Sequence, residues 1–223
     1  MNVSEAVASR RSIRRFLPRP VDRCIIERVL EKARYAPSGG NLQPWNAHVV
    51  GDDALARLCD AVARMIPQGR SGHSPEYAIY PPELEGRYAE SRQQVGEAMY
   101  NALGVPREDK AGRLAQFAHN YHAFGAPLLM LVHTPRYMGP PQWADMGMWL
   151  QTVMLLLREE GLDSCAQEAW AVYQQQIRDH VAIPADHILF CGMSIGYRDA
   201  AAPVNGFEGM RVPLAACITF AGL

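Results

Sequence analysis

The stretch from Trp143 to Glu160 constrains the fold of this chain more than any other segment. Apolar side chains lie on almost every face of the helix that it predicts: Met146, Met148, Trp149, Leu150, Val153, Met154, Leu155, Leu156 and Leu157. A helix that is hydrophobic nearly all round must be buried, either in a core or against a partner subunit. No apolar run in the chain reaches the roughly 18 residues needed to cross a bilayer, so no membrane span is expected.

The remaining patterns predict helices interleaved with a few strands. Apolar residues at helical spacing predict helices at 3–10, 22–36, 53–65, 88–103, 109–124 and 174–181. Apolar runs predict strands at 46–50, 127–132 and 188–191, and a final β-like run at 212–220. Residues 67–87 are irregular, and so long a loop in a compact domain is usually functional or mobile. Because no repeat or linker interrupts this order, one α+β or α/β domain covering 1–223 is expected.

Charge and cysteine content narrow the class of protein. The formal net charge is −1, which argues against non-specific binding to nucleic acid or to an anionic membrane. The N-terminus lacks the apolar core of a signal peptide. The five cysteines are scattered and never form a C-x-x-C pair, which favours reduced thiols in a cytoplasmic protein and makes a structural zinc site improbable.

A local concentration of positive charge lies near the N-terminus, in Ser9-Arg10-Arg11-Ser12-Ile13-Arg14-Arg15-Phe16. Arginine presents a planar fork of donors that suits phosphate, so the stretch indicates either an anion site or a solvated basic patch. The chain has no G-x-G-x-x-G after a strand and no phosphate-binding loop ending in Gly-Lys-Ser/Thr. Any bound phosphate must therefore be held by side chains, and Arg211, after a glycine-rich loop, is a candidate partner for the N-terminal arginines.

Two other patterns carry weaker functional hypotheses. Residues 192–196 match G-x-S-x-G, but a hydrolase nucleophile needs a following helix and a later histidine, and the last histidine is His187. His119 and His122 lie three apart on a predicted helix, and His133 ends a strand. No further ligands at metal-binding spacing accompany these histidines, so packed or exposed histidines are favoured over a metal site.

Several segments taken together resemble the FMN-dependent nitroreductase superfamily, and most closely its nitrobenzoate-reductase-like branch. The resemblance begins with Ser9–Phe16 and Ala36–Trp45 and continues to the end of the chain. Its other segments are Tyr80–Leu84, Phe124–Pro127, Asp145–Gly147, Gly161–Asp163, Ser194–Tyr197 and Arg211–Leu214. The resemblance implies an α+β fold with a central mixed β-sheet surrounded by helices, and an intertwined homodimer with FMN at the subunit interface. A variable, mobile segment is expected around 67–93.

The resemblance also implies three groups of cofactor-binding residues. Arg10, Arg11, Ser12, Arg14 and Arg211 would hold the FMN phosphate. Arg14, which lies one helical turn beyond Arg10 if the first helix runs on, is also a candidate for the charged edge of the reduced ring. Pro37, Ser38, Gly39, Asn41 and Gln43 would reach the flavin of the other subunit. Ala166, Gln167, Glu168 and Ala169 would lie along the ring, with the Glu168 backbone N–H directed at flavin N5. Ala166 and Ala169 depart from the family, which commonly has a proline and a glycine there.

The implied activity is that of an FMN-dependent NAD(P)H oxidoreductase. NADPH or NADH would reduce FMN and leave, and a small nitroaromatic or quinone acceptor would then take the hydride in a ping-pong cycle. The protein itself needs no nucleophile, because the cofactor carries the chemistry. The alternatives are a flavin dehydrogenase or dehalogenase of the same fold and a non-catalytic flavin-storage protein. Arg70, Arg87 and Arg92 are candidates for a substrate carboxylate or the NADPH 2′-phosphate, although solvated charges are favoured.

Overall fold

The computed structural model describes residues 1–66 and 73–222. Within these residues the chain forms seven α-helices and four β-strands. The helices are α1 (Val3–Ser9), α2 (Arg23–Ala33), α3 (Asp52–Ala63), α4 (Gly86–Ala102), α5 (Lys110–Ala118), α6 (Pro140–Glu159) and α7 (Gln174–Arg178). The strands are β1 (Asn46–Gly51), β2 (Leu128–Pro135), β3 (Asp163–Gln167) and β4 (His187–Gly196). None of the described helices combines the length and the hydropathy that a membrane span requires.

The four strands form one sheet in the order β1-β2-β4-β3, in which each neighbouring pair is antiparallel. The α+β class is confirmed, but the expected mixed sheet is corrected. In the part of the chain that the structure describes, parallel pairing is limited to an isolated bridge between Ser12 and Ser164. That bridge places the N-terminal arm along the open edge of β3, where it covers unpaired strand groups.

Each face of the sheet carries its own hydrophobic core. On β2, Leu129 and Leu131 belong to one core, and Met130 and Val132 belong to the other, as the alternation of side chains along a strand requires. Residues of α2 and α6 pack on the second face, whereas residues of α3 and α7 pack on the first. The two layers of helices therefore enclose the sheet.

The apolar helix predicted at 143–160 is α6, which begins three residues earlier with prolines in its first turn. Its buried stripe comprises Asp145, Met146, Trp149, Leu150, Val153 and Leu157. Met148, on another face, is 41% exposed. A single chain thus buries only one side of this helix and leaves apolar surface on another.

Two predicted elements differ from the structure, and one strand was not predicted. The β-like run at 212–220 is wrong: it holds a short 3-10 turn, Leu214–Ala216, all its side chains are exposed, and it pairs with none of the strands in the described residues. The helix predicted at 109–124 ends at Ala118 and continues as a 3-10 segment with positive φ at Ala123 and Phe124. β3 was not predicted because its sequence, Asp-Ser-Cys-Ala-Gln, has no apolar alternation.

The variable, mobile segment predicted around 67–93 lies partly outside the described residues, which omit 67–72 and hence Arg70. Residues 73–85 form neither helix nor strand, and α4 begins at Gly86. The expected mobility of this segment stays a prediction.

The G-x-S-x-G pattern lies within β4, and packing explains its glycines. A Cβ on Gly192 would lie 2.4 Å from the Trp170 ring, and one on Gly196 would lie 2.7 Å from Pro127. The Ser194 hydroxyl is fully buried and donates a hydrogen bond to Gln167 Oε1 at 2.5 Å. The motif is therefore a packed strand, as the missing helix and histidine indicated.

Three histidines from three strands form a hydrogen-bonded chain at one end of the sheet. His48 Nδ1 lies 3.1 Å from His133 Nε2, and His133 Nδ1 lies 2.8 Å from His187 Nδ1. Burial and the neighbouring His48, His187 and Arg178 lower the pKa of His133 to about 4. Because His133 uses opposite ring nitrogens toward its two neighbours, the three rings do not converge on one point as metal ligands would.

Candidate functional site

The N-terminal arm that carries the arginine cluster is extended. α1 ends at Ser9, so the helix does not run on and Arg14 does not lie one helical turn beyond Arg10. Ile13 and Phe16 point into the core, while their backbone N–H groups donate to Ser164 O and Phe124 O, each at 3.1 Å. The arm is therefore fixed along β3, with its polar side chains on the opposite side.

The predicted phosphate residues meet around one small basic cavity of about 90 Å³. Its lining comprises Arg10, Arg11, Ser12, Arg14, Val95, Val204, Asn205, Phe207, Gly209 and Arg211. Burial and the nearby cations Arg211 and Arg11 lower the pKa of Arg10. Arg11 is neutralised by Glu208 at 2.9 Å, so the other guanidinium groups leave a positive charge that suits an anion. The structure brings together all five of these predicted residues.

Asn205 attaches the arm to the segment that follows β4. Its side-chain oxygen accepts the Arg14 backbone N–H at 2.8 Å, and its amide nitrogen donates to Arg15 O at 2.8 Å. Sequence reasoning missed this residue, because nothing in the local sequence signals a contact across some 190 positions.

A buried cluster of charges holds the start of β3 and the end of α1 together. Asp163 is 2% exposed, and its Oδ1 accepts from Arg158 at 3.0 Å and from Arg198 at 2.5 Å. Arg198 also donates to Asp163 Oδ2 at 2.6 Å, and the ion pair raises the pKa of Arg198. Both arginines reach Ser9, at its hydroxyl and at its carbonyl oxygen. The residue before the arginine cluster is thus tied to β3.

A larger cavity of about 470 Å³ adjoins the basic one, sharing Arg14 and Val95. One wall is the end of β3 and the turn after it: Cys165, Ala166, Gln167, Glu168 and Ala169. The other is mostly aromatic and apolar, and includes Ile79, Tyr80, Met99, Tyr100, Phe117, Phe124 and Val172. An elongated ligand with an anionic end and a flat ring would fit across both cavities.

The predicted ring-side segment 166–169 is part strand and part 3-10 helix rather than a loop. Ala166 and Gln167 end β3, and Glu168 begins the 3-10 helix. The side-chain amide of Gln167 is fully engaged, donating to Asn120 and accepting from Ser194. Glu168 has no intrahelical acceptor for its backbone N–H, since it opens a helix. In this segment the Glu168 backbone N–H is therefore available to a ligand, whereas the Gln167 side-chain amide is not.

The thiol of Cys165 lines the larger cavity without acting as a nucleophile. Burial raises the pKa of Cys165 to about 11, although Arg14 and Arg10 oppose the shift. A thiol with that pKa stays protonated at neutral pH, and the thiolate is the reactive form.

The loop Pro37–Gln43 lies away from these cavities and lines neither of them. The buried carboxylate of Asp145 on α6 accepts the Gly39 N–H at 3.2 Å, and the Ser38 hydroxyl accepts the Gln43 N–H. Gly40, Asn41 and Gln43 all have positive φ, a strain that clusters at functional sites when it falls on residues other than glycine. Pro37, Gly39, Asn41 and Gln43 are exposed, so within one chain this group does not join the others.

α4 supplies lining residues of which the sequence singled out only Arg92 as a candidate. Val95 lies beside the basic cavity, and Arg92, Gly96 and Tyr100 line the larger one. Of the candidate arginines, Arg87 donates to Ala216 O in the C-terminal segment, whereas Arg92 lies over the Tyr80 ring at 4.2 Å. Helical spacing predicted this helix, but the face it presents depends on contacts that are remote in sequence.

Comparison with known proteins agrees with this arrangement. The Nitroreductase family model matches residues 7–197. A 4-nitrobenzoate reductase from Pseudomonas putida is 35% identical over 210 residues, which cover 93% of this chain and 88% of that protein.

Two crystal structures extend the likeness to the whole fold. That of an FMN and NADPH-dependent nitroreductase, NfnB from Sphigopyxis sp. strain HMH, is 52% identical, covers 100% of both chains and has a TM-score of 0.97. That of the FMN-dependent nitroreductase NfnB from Mycobacterium smegmatis, in complex with NADPH, is 28% identical with a TM-score of 0.93, covering 98% and 97% of the two chains. The chain belongs to the Nitroreductase family.

Proposed function

We propose that this protein is an FMN-dependent NAD(P)H oxidoreductase that reduces nitroaromatic compounds. The observation that carries the proposal is the pair of adjoining cavities, one small and basic, the other larger and partly aromatic, which share Arg14 and Val95. A ribityl phosphate suits the first and a flavin ring the second. The relatives named 4-nitrobenzoate reductase and FMN and NADPH-dependent nitroreductase support this activity.

The proposed cofactor site assigns a separate task to each group of residues. Arg10, Ser12 and Arg211 would bind the phosphate, because charge-assisted bonds to guanidinium are the strongest that a side chain offers an anion. Arg11, although paired with Glu208, would add to the positive electrostatic potential at the phosphate. Arg14, which lines both cavities, would place a fixed cation beside the ring and favour its reduced, anionic form. Ala166, Gln167, Glu168 and Ala169 would orient the ring through their backbone.

Bound FMN would supply the chemistry, taking a hydride from NADPH or NADH and passing it to a nitroaromatic or quinone acceptor. The chain would contribute binding and the exclusion of water. Its aromatic wall offers flat surfaces on which an acceptor ring can stack. Cys165 takes no part, since its thiol stays protonated.

We also propose that the protein is an intertwined homodimer of single-domain subunits in the cytoplasm. Two features leave apolar surface uncovered in one chain: Met148 on α6, and the C-terminal segment with Val212, Leu214, Ile218 and Phe220 exposed. Large apolar patches left exposed on a subunit usually mark an interface, and these side chains are candidates for one. In a dimer the strained Pro37–Gln43 loop would reach the partner's cofactor. All five cysteines are free thiols, which suits a reducing compartment.

The test is spectroscopic. The purified protein should be yellow, or gain protein-bound flavin absorbance when FMN is added. Anaerobic NADPH should bleach that absorbance, and a nitroarene should restore it. A protein that binds no flavin would contradict the proposal, whereas bound flavin that NADPH fails to bleach would identify a storage protein.

A further inference from the structure

α4 lies between the cavity of about 470 Å³, called the larger cavity above because it exceeds the basic one, and a further cavity of about 560 Å³, called the second cavity below. Both are lined by Arg92, Gly96 and Tyr100. These residues are spaced four apart and so lie on one face of the helix. The shared face makes α4 the place where the two cavities meet.

Gly96 lies in the middle of that face, inside a helix. Apart from the backbone of that helix, no heavy atom of residues 1–66 and 73–222 would lie within 4 Å of a Cβ added to Gly96, so packing against these residues does not require a glycine. Gly192 differs, because a Cβ there would collide with Trp170. A glycine inside a helix weakens the helix, so what Gly96 provides is open space between Arg92 and Tyr100.

Arg92 carries a charge that no carboxylate of the described residues neutralises. None of the ion pairs in residues 1–66 and 73–222 includes it, and its guanidinium lies over Tyr80 at 4.2 Å. Arg113, which lines the second cavity too, donates to both carboxylate oxygens of Glu97 at 2.9 Å. The carboxylate of Glu83 also lines this cavity and would oppose an anion there.

We propose that the two cavities form one acceptor site joined across Gly96, in which Arg92 selects acceptors with an anionic ring substituent such as a carboxylate. With the flavin ring along β3, the nitro-bearing end of the acceptor lies between that ring and α4, and the substituent passes over Gly96. A guanidinium held on an aromatic ring keeps its donor edges free for a carboxylate. This inference rests on the proposed function and adds the residues that determine specificity.

The first test compares 4-nitrobenzoate with nitrobenzene, its uncharged counterpart, using the FMN-loaded enzyme and NADPH. Arg92→Gln should lower kcat/KM for 4-nitrobenzoate by at least about tenfold, mainly through KM, while nitrobenzene changes by less than about twofold. Glu83→Gln, the matched variant, should shift the ratio of the two kcat/KM values in favour of 4-nitrobenzoate. An equal loss on both acceptors would overturn the assignment of Arg92. So would a rise in the KM of NADPH that is absent with NADH, because the anion would then be the donor's 2′-phosphate.

The second test places side chains of increasing size in the open space at Gly96. Gly96→Leu should lower kcat/KM for 4-nitrobenzoate by at least about tenfold, and Gly96→Ala by less, with nitrobenzene nearly unaffected. If the Gly96 variants turn over both acceptors with an unchanged ratio of kcat/KM for 4-nitrobenzoate to kcat/KM for nitrobenzene, this inference is overturned and the proposed function is not. An unmodified enzyme that turns over neither would instead overturn the proposed function.

Discussion

Two sides of the larger cavity, the end of β3 (the β3 wall) and the helix α4 (the α4 wall), are built in different ways. The β3 wall is held by the sheet, by the bridge between Ser12 and Ser164, and by the buried carboxylate of Asp163 with its two arginines. The α4 wall is a helix in which no side chain is buried. One wall is therefore part of the folded core, and the other rests on its surface.

This difference between the walls matches two separate requirements of the proposed reaction, a fixed cofactor and variable acceptors. A cofactor must be held in one geometry, which suits backbone groups fixed by a sheet. Acceptors vary in size and charge, which suits side chains on a helix whose replacement leaves the core intact. Substitutions on the β3 wall should therefore change stability and cofactor affinity, whereas substitutions on α4 should change acceptor selectivity.

The largest effect is expected at Asp163. Asp163→Asn leaves Arg158 and Arg198 without their carboxylate, and removing one partner of a buried ion pair typically costs about 3–5 kcal/mol. The free energy of unfolding, measured by urea denaturation, should fall by that amount. Ser9→Ala, which removes one contact of the same cluster, should cost less than about 1 kcal/mol. A loss below about 1 kcal/mol for Asp163→Asn would show that the ion cluster does not hold this wall.

The next largest effect is expected at the basic cavity. Arg10→Ala and Arg211→Ala should each weaken FMN binding by about 1.5–3 kcal/mol, or roughly 10- to 150-fold, because each removes a charge-assisted phosphate contact. Fluorescence titration with FMN and with riboflavin measures the effect. Only FMN affinity should fall, since riboflavin has no phosphate.

Arg15→Ala is the control for this pair, because Arg15 is exposed and does not line the cavity. Its FMN affinity should match that of the unmodified protein. Equal losses for FMN and riboflavin in the Arg10 and Arg211 variants would contradict the phosphate assignment.

The smallest effect should have the opposite sign. Gly96→Ala should raise the free energy of unfolding by about 0.5–1 kcal/mol, because alanine is the better helix former and its methyl group enters open space. Thermal unfolding of the cofactor-free protein measures this. A destabilised variant would mean that α4 is packed as tightly as the β3 wall, and the contrast between the walls would fail.

Elements with strong apolar patterns were predictable from the sequence. α6 and the strands β2 and β4 were predicted because their side chains must be buried whatever their neighbours are. β3 was missed because its polar residues are buried by partners far along the chain, such as Arg198 and Asn120. The C-terminal run failed for the opposite reason: Val212, Ile218 and Phe220 are apolar, yet they pair with none of the strands in the described residues.

The candidate site was predictable where charge itself is the signal. Arg10, Arg11, Arg14 and Arg211 were singled out as cations that any anion site would need, and they converge on one cavity. Asn205 and Gly96 gave no such signal. An asparagine that fixes a distant backbone and a glycine that leaves space acquire meaning only from what surrounds them in the fold.

The histidine chain at the far end of the sheet makes the fold sensitive to acid. The pKa of His133 in the folded chain, about 4, lies below its ordinary value of 6.5. At a pH between these two values the unfolded chain is protonated at His133 and the folded chain is not. The stability linked to His133 is complete above its ordinary pKa and is lost as the pH falls toward 4. Because His48, His133 and His187 belong to β1, β2 and β4, a single proton acts on three strands at once. Mild acid should therefore loosen the sheet at this end, where the three histidines lie.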